Sequence, residues 1–187
     1  MLKYSLYPLV LCAACAFGQA AADNPLSAGN KMMYGIVKNN LLKAAEKMPE
    51  ASYSFKPTPD VRSFGQMVGH VSDANYMFCS AVLGEKAPVA EIEKTKTTKA
   101  DLVQAIGDSF RYCDKLYDEM TDATAVEKVK FFGRDAAKLS ILAFNNMHDD
   151  EHYGNMVTYL RLKNIVPPSS EQNKPAAPKK SDAGAAK

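Results

Sequence analysis

The chain has 187 residues, enough for one domain with a core of its own plus flanking tails, so no second domain is needed. Apolar residues make up 47% of it and the formal net charge is only +2, which excludes the strong basic footprint of a nucleic-acid-binding protein.

Met1-Leu2-Lys3-Tyr4, the apolar run from Leu6 to Phe17 and the small residues Gly18 to Ala22 read as a secretory signal peptide, residues 1–22. The run is too short to span a membrane as a mature helix, so no stable membrane span is expected. Ala20 and Ala22 fit cleavage just before Asp23, and a cut after Ala20 fits the same pattern; either places the mature chain in a secreted or periplasmic compartment. A lipoprotein signal ending at Cys15 fits less well, because Cys12 stands where such signals carry a bulky aliphatic residue. Of the four cysteines, Cys12 and Cys15 go with the signal, and no histidine follows their CxxC as haem attachment requires. Cys79 and Cys113 remain, and export permits a disulfide between them, although spacing leaves open the alternative of two small buried apolar residues.

From Leu26 to Met48, Met32, Met33, Ile36, Val37, Leu41, Ala44, Ala45 and Met48 recur at helical spacing, and Pro49 ends this first helix. Residues 50–60, with Pro57 and Pro59, read as a loop. Ser63-Phe64-Gly65-Gln66 has the form of a capping box and opens a second helix, which runs to Leu83 and stops at Gly84. A polar loop from Glu85 to Thr97 follows, and Thr98-Lys99-Ala100-Asp101 then starts a third helix that ends near Met120. Residues 121–133 read as a loop whose Val-Lys-Phe-Phe stretch lies against the bundle, with Asp135 capping a long fourth helix from about Ala136 to Asn164. That helix carries two adjacent stripes, Leu139, Leu142, Ala143, Met147 and Ile141, Phe144, His148, His152, Met156, Tyr159, so much of its circumference is expected to be buried. Residues 167–187, rich in Pro, Ala and Lys, are too poor in apolar surface to offset their ordering entropy and are expected to be a disordered tail. No strand and no internal repeat is predicted, so the fold class is all-α, four helices joined by fairly long connections over residues 23–166.

The chemistry concentrates in the three histidines. His148 and His152 stand four apart and share one helical face, and His70 sits inside the apolar pattern of the second helix, where an unpartnered imidazole is costly. Each taken alone reads more readily as a solvated or hydrogen-bonded histidine. Together, all at inward-facing positions of helices able to pack side by side, they suit one divalent metal ion with coordination positions left open, as catalytic sites require. Zinc, nickel, iron and manganese all accept such ligands. Asp73, one turn after His70, is placed to orient a ligand, while Asp149, Asp150 and Glu151 read as solvated acids. The stretch His148 to His152 also spells HxxEH, but no acidic ligand follows downstream outside the Pro-rich tail, and an all-helical chain suits that protease class poorly. A carboxylate-bridged di-iron site is excluded because neither His148 nor His152 follows a Glu at the required spacing.

Ser63-Phe64-Gly65-Gln66-Met67-Val68-Gly69-His70 together with His148-x-x-x-His152-Tyr-Gly-Asn-x-x-x-Tyr-Leu-Arg resembles the DinB/YfiT-like superfamily, over roughly Leu26 to Val166. The resemblance implies a four-helix bundle of up-down-down-up topology, often a homodimer, with one divalent metal held by His70, His148 and His152. Some relatives are thiol-dependent S-transferases, one is a maleylpyruvate isomerase, and many have no assigned reaction. Two departures stand out: Gly154-Asn155 where the family commonly has Gly-Gln, and the export signal, since the small thiols used by the transferases are intracellular. The sequence thus points to an exported metal-dependent enzyme, an S-transferase or hydrolase acting on a small-molecule substrate or thiol. The alternative is a non-catalytic bundle that binds a metal or small ligand.

Overall fold

Four long amphipathic helices carry the structure, because each has one face apolar enough to be buried only against the others. The computed structural model describes residues 23–171; the expected signal segment and residues 172–187 lie outside the described residues. Helix α1 (Pro25–Lys47) buries Val37, Leu41, Ala44 and Ala45, and a single 3₁₀ turn, Glu50–Ser52, follows in the expected loop. Helix α2 (Phe64–Leu83) begins and ends as its sequence predicts. Ser63 accepts from the Gln66 amide, the Gln66 side chain accepts from the Ser63 amide, and Gly84 closes the helix in the left-handed conformation at φ 74°.

The polar loop after α2 contains a short helix, α3 (Ile92–Thr95), which the sequence pattern does not reveal. Its one buried residue, Ile92, fastens it to α2. Helix α4 (Lys99–Glu119) is capped by Thr98, whose side chain accepts from the Asp101 amide.

The connection to the last long helix departs from expectation. A short helix α5 (Asp122–Ala125) is followed by an antiparallel hairpin of β1 (Lys128–Phe131) and β2 (Arg134–Ala137), with Lys128 opposite Ala137 and Phe131 opposite Arg134. Its two turn residues, Phe132 (φ 47°) and Gly133 (φ 76°), both take the positive φ that a two-residue hairpin turn matched to strand twist demands. Phe is an uncommon residue there, which is why the turn is hard to recognise. Asp135 therefore pairs within the hairpin instead of capping a helix, and helix α6 (Lys138–Leu162) starts later than predicted, after Ala137. A last short helix, α7 (Pro168–Glu171), orders the start of the segment expected to be disordered: Pro168 is buried and the Tyr153 hydroxyl bonds to Ser169 at 2.8 Å.

α2 packs against α4 and α6, and α1 against α6 and α4, enclosing one apolar core that includes Leu41, Phe64, Phe78, Phe110, Leu142 and Met156. Among the described residues no helix is long and apolar enough to cross a membrane. Cys79 of α2 and Cys113 of α4 are joined as a disulfide with their Cα atoms 5.6 Å apart, which settles the choice that spacing left open.

The disulfide links positions 34 residues apart. By the chain-entropy relation, replacing both cysteines with alanine is expected to cost about 3–4 kcal/mol of unfolding free energy. Urea titration of the oxidised parent and the double variant checks this; coincident midpoints would contradict it.

Candidate metal centre

A buried imidazole needs a partner at each ring nitrogen or a reason to lack one. His70 lies mid-way along α2, and His148 and His152 lie one turn apart on α6, the helix packed beside it. All three point their Nε2 atoms at one another: His70 to His148 at 3.2 Å and His152 to His148 at 3.1 Å. His152 is buried, and the other two rings are mostly covered. A neutral imidazole has one in-plane acceptor pair, so His148 Nε2 cannot serve two neighbours well as a hydrogen-bond partner. The two short separations fit a cation better, because ligands about 2.0–2.1 Å from a tetrahedral ion lie roughly 3.3 Å from each other, and all three ligating atoms lie within 4.8 Å of one another. These three are also the group of metal-ligating side chains that converges among the described residues.

The opposite ring nitrogens have unequal surroundings. His70 Nδ1 meets Glu93 Oε2 at 3.1 Å, and Glu93 Oε1 in turn accepts from Arg62 Nε at 2.9 Å. A carboxylate on Nδ1 fixes the tautomer whose Nε2 lone pair faces the cluster. Glu93 belongs to α3, and Asp73 holds α3 in place by accepting from the backbone amides of Ile92 (2.9 Å) and Glu93 (3.0 Å). Asp73 thus touches no histidine, contrary to the role its spacing suggests; it acts through the loop that carries Glu93. Gly69 makes the approach possible. A Cβ at that position would stand 2.6 Å from the Glu93 Cα, a distance no real side chain occupies.

The Nδ1 atoms of His148 and His152 are buried without hydrogen-bond partners among the described residues, as are both carboxylate oxygens of Asp149. Asp149 was expected in solvent, yet its side chain is fully buried. Leu142, Asn145, Asp149, His152, Met156 and Tyr159 form one continuous buried seam along α6, which tracing apolar residues alone passes over. Asp149 Oδ1 stands 3.9 Å from His148 Nδ1, too far for a hydrogen bond but near enough to place an acidic group behind the cluster. Around it runs a neutral polar network: Asn145 Nδ2 donates to Asn75 Oδ1 at 3.1 Å, and the Tyr117 hydroxyl donates to Asn146 Oδ1 at 2.9 Å.

Burial dominates the protonation of the site. It pushes His152 down to about 4, with the neighbouring His148, His70 and Arg62 charges adding to the effect, and lowers His70 likewise, with Arg62 second in weight. Burial also raises the Asp149 carboxyl to about 6. At His70 and His152 burial thereby favours the neutral form that ligates metals.

Beside His152 a cleft of about 620 Å³ opens to solvent, lined among others by Arg62, Gln66, Glu93, Glu151, Asn155 and Tyr159. Glu151, expected in solvent, sits on its wall, and Asn155, the residue that departs from the family's usual Gln, also faces it. Sequence reasoning missed Arg62, Glu93 and the burial of Asp149. Ile92, an apolar residue in an otherwise polar loop, is the signal that marks α3 as docked.

Fold and site together define a mostly helical bundle, with one β-hairpin, that carries an inward cluster of three histidines able to hold a metal ion. The sequence pattern of the DinB superfamily matches residues 34–156, more than half of the chain, and the protein belongs to that superfamily. Its fold is similar to that of a DinB-like protein from Bacillus cereus ATCC 10987 (TM-score 0.67, 18% identity, covering 75% of this chain and 95% of that one). It is also similar to a DinB-like protein, YjoA, from Bacillus subtilis (TM-score 0.62, 21% identity, 74% and 93%). Comparison with functionally curated proteins yields no match.

Two outcomes are expected. Glu93→Ala releases His70 Nδ1 and should weaken divalent-metal affinity about 10–100-fold by competition titration, with Gly69→Ala, which displaces α3, shifting it the same way. The second concerns Asp149 in the metal-free chain. Between its ordinary value of 3.8 and about 6 the folded chain holds more protons there than the unfolded chain, so stability falls as pH rises through that window. Asp149→Asn should therefore stabilise the chelated protein at pH 7 by on the order of 3 kcal/mol and far less at pH 3.5, measured by urea denaturation. His152 works in the opposite sense, since its lowered pKa favours the fold above its ordinary 6.5 and is lost as pH falls towards 4.

Proposed function

We propose that this member of the DinB superfamily is an exported metal-dependent enzyme, a transferase or hydrolase that activates a water or a thiol, with one divalent ion held by His70, His148 and His152. The observation that carries the reading is the convergence of three Nε2 atoms, 3.1 and 3.2 Å apart along the chain of contacts, with one of the three rings, His152, lining an open cleft. When bound, the ion would supply Lewis acidity to a group entering from the cleft. The chain's own residues do the rest. Glu93 orients His70, burial favours neutral His70 and His152, and the carboxyl of Asp149 provides negative charge behind the cluster to offset a cation. Export rests on the signal-like residues 1–22.

We further propose that the chain is a homodimer. α1 and α6 expose Met33, Ile36 and Met147 along a groove of about 330 Å³, with Ile36 57% and Met147 56% accessible, and Met32 and Phe144 are also exposed on these helices. The sequence pattern placed Phe144 and Met147 on stripes of the last long helix expected to be largely buried. A second copy offers the same stripe, so a two-fold axis buries both at once.

Protein purified without chelator is expected to carry one divalent ion per chain by elemental analysis, and His148→Ala to carry none. Chelation should also lower the melting temperature of the parent. Absence of stoichiometric metal from the parent would refute the metal reading. Screening the loaded protein against thiol and ester substrates separates enzyme from binding module. For the dimer, Ile36→Glu should halve the mass seen by light scattering without loss of helicity.

A further inference from the structure

We infer that the compound bound by this site carries a carboxylate or phosphate next to the atom that approaches the histidine cluster, and that Arg62 receives this anion. The inference deepens the metal reading above and rests on it. Arg62 is anchored twice: its backbone carbonyl accepts from the Tyr159 hydroxyl of α6 at 2.7 Å, and its Nε donates to Glu93 at 2.9 Å. Arginine ordinarily loses much side-chain freedom when it engages a ligand, and two prior anchors remove part of that cost. Arg62 lines the cleft that also contains His152, and with Nε occupied its two terminal nitrogens remain without hydrogen bonds to any described residue. That pair of donors is the fork that recognises carboxylate and phosphate oxygens.

Charge leads to the same conclusion. Glu93 is shared between Arg62 and His70, so it offsets the guanidinium and leaves nothing over for an ion bound by three neutral imidazoles. Asp149 is fully buried and does not line the cleft, so it offsets the ion only from behind. The cleft carries a further cation, Lys56, at its rim, opposed by Asp60 and Glu151. A group reaching the cluster through this cleft therefore passes a preorganised cation within the same cavity. An anionic substituent gains from both positive centres at once, and a neutral one from neither.

The test uses the full mature chain loaded with cobalt(II), whose visible spectrum reports on ligand entry. Three probes are titrated: glycolate, inorganic phosphate and the neutral ethylene glycol. Glycolate or phosphate is expected to bind at least about tenfold more tightly than ethylene glycol, and the tighter of the two identifies the anion. Arg62→Gln should weaken glycolate and phosphate about tenfold, leaving only the preference the ion itself confers, with ethylene glycol unaffected. Arg62→Lys, which keeps the charge and loses the fork, should fall between. Equal affinity of all three probes for the parent, or an unchanged anion preference in Arg62→Gln at equal cobalt content, would overturn the inference while the metal reading stands. If Arg62→Gln fails to load cobalt, Arg62→Lys decides in its place: parent-like anion affinity then overturns the role of the guanidinium fork. Failure of the parent to take up cobalt removes the metal reading and this inference with it.

Discussion

Three imidazole nitrogens crowded to within about hydrogen-bonding distance of one another cannot satisfy each other, because each neutral ring offers one donor and one acceptor in fixed directions. The middle ring, His148, is approached by both of the others on the same atom, Nε2. A shared cation resolves this frustration at once. Much of the rest of the structure can be understood as holding that arrangement: α6 supplies two rings from successive turns, α2 supplies the third across the helix interface, and the disulfide to α4 ties α2 into the bundle. Burial then favours the neutral, ligating form of His70 and His152.

The support of this cluster comes from a segment with little regular structure. Four residues of α3 lie against α2 because Gly69 offers no Cβ to obstruct them, because Ile92 is buried, and because Asp73 accepts two backbone amides at their start. The outcome is a chain of contacts from Asp73 through the α3 backbone to Glu93, and from Glu93 to both His70 and Arg62. One carboxylate thus couples the orientation of a candidate ligand to the position of a cation in the cleft. Functional side chains carried on loops over a rigid scaffold are a common division of labour, and here the scaffold helix and the loop contribute to the same imidazole.

Local chemistry was legible wherever a motif completes itself within a few residues. The Ser63–Gln66 capping box, the Gly84 stop and the Thr98 cap stand where the sequence places them, since each bond joins neighbours in the chain. The hairpin at 128–137 was not legible. Its turn uses Phe132 in a left-handed conformation that only its context makes tolerable, and Asp135, a good cap in isolation, is taken into a strand. On α6 the apolar stripes led away from the true seam, which includes Asn145 and Asp149, and towards Phe144 and Met147, which face outward. Hydrophobicity marks what is costly to expose; it does not mark polar residues that are buried because a site needs them.

The amino-acid sequence by itself determined the number and approximate extent of the long helices and the three histidines as the candidate ligands, because helical period, caps and side-chain chemistry are local properties. Only the tertiary structure decided that His70 meets His148 and His152, that Glu93 rather than Asp73 touches the ring, that Cys79 and Cys113 are bonded, and that Asp149 is buried. Each of those depends on which faces of separate elements come together. Such pairings are set by the packing of the whole core, and no stretch of sequence contains them alone.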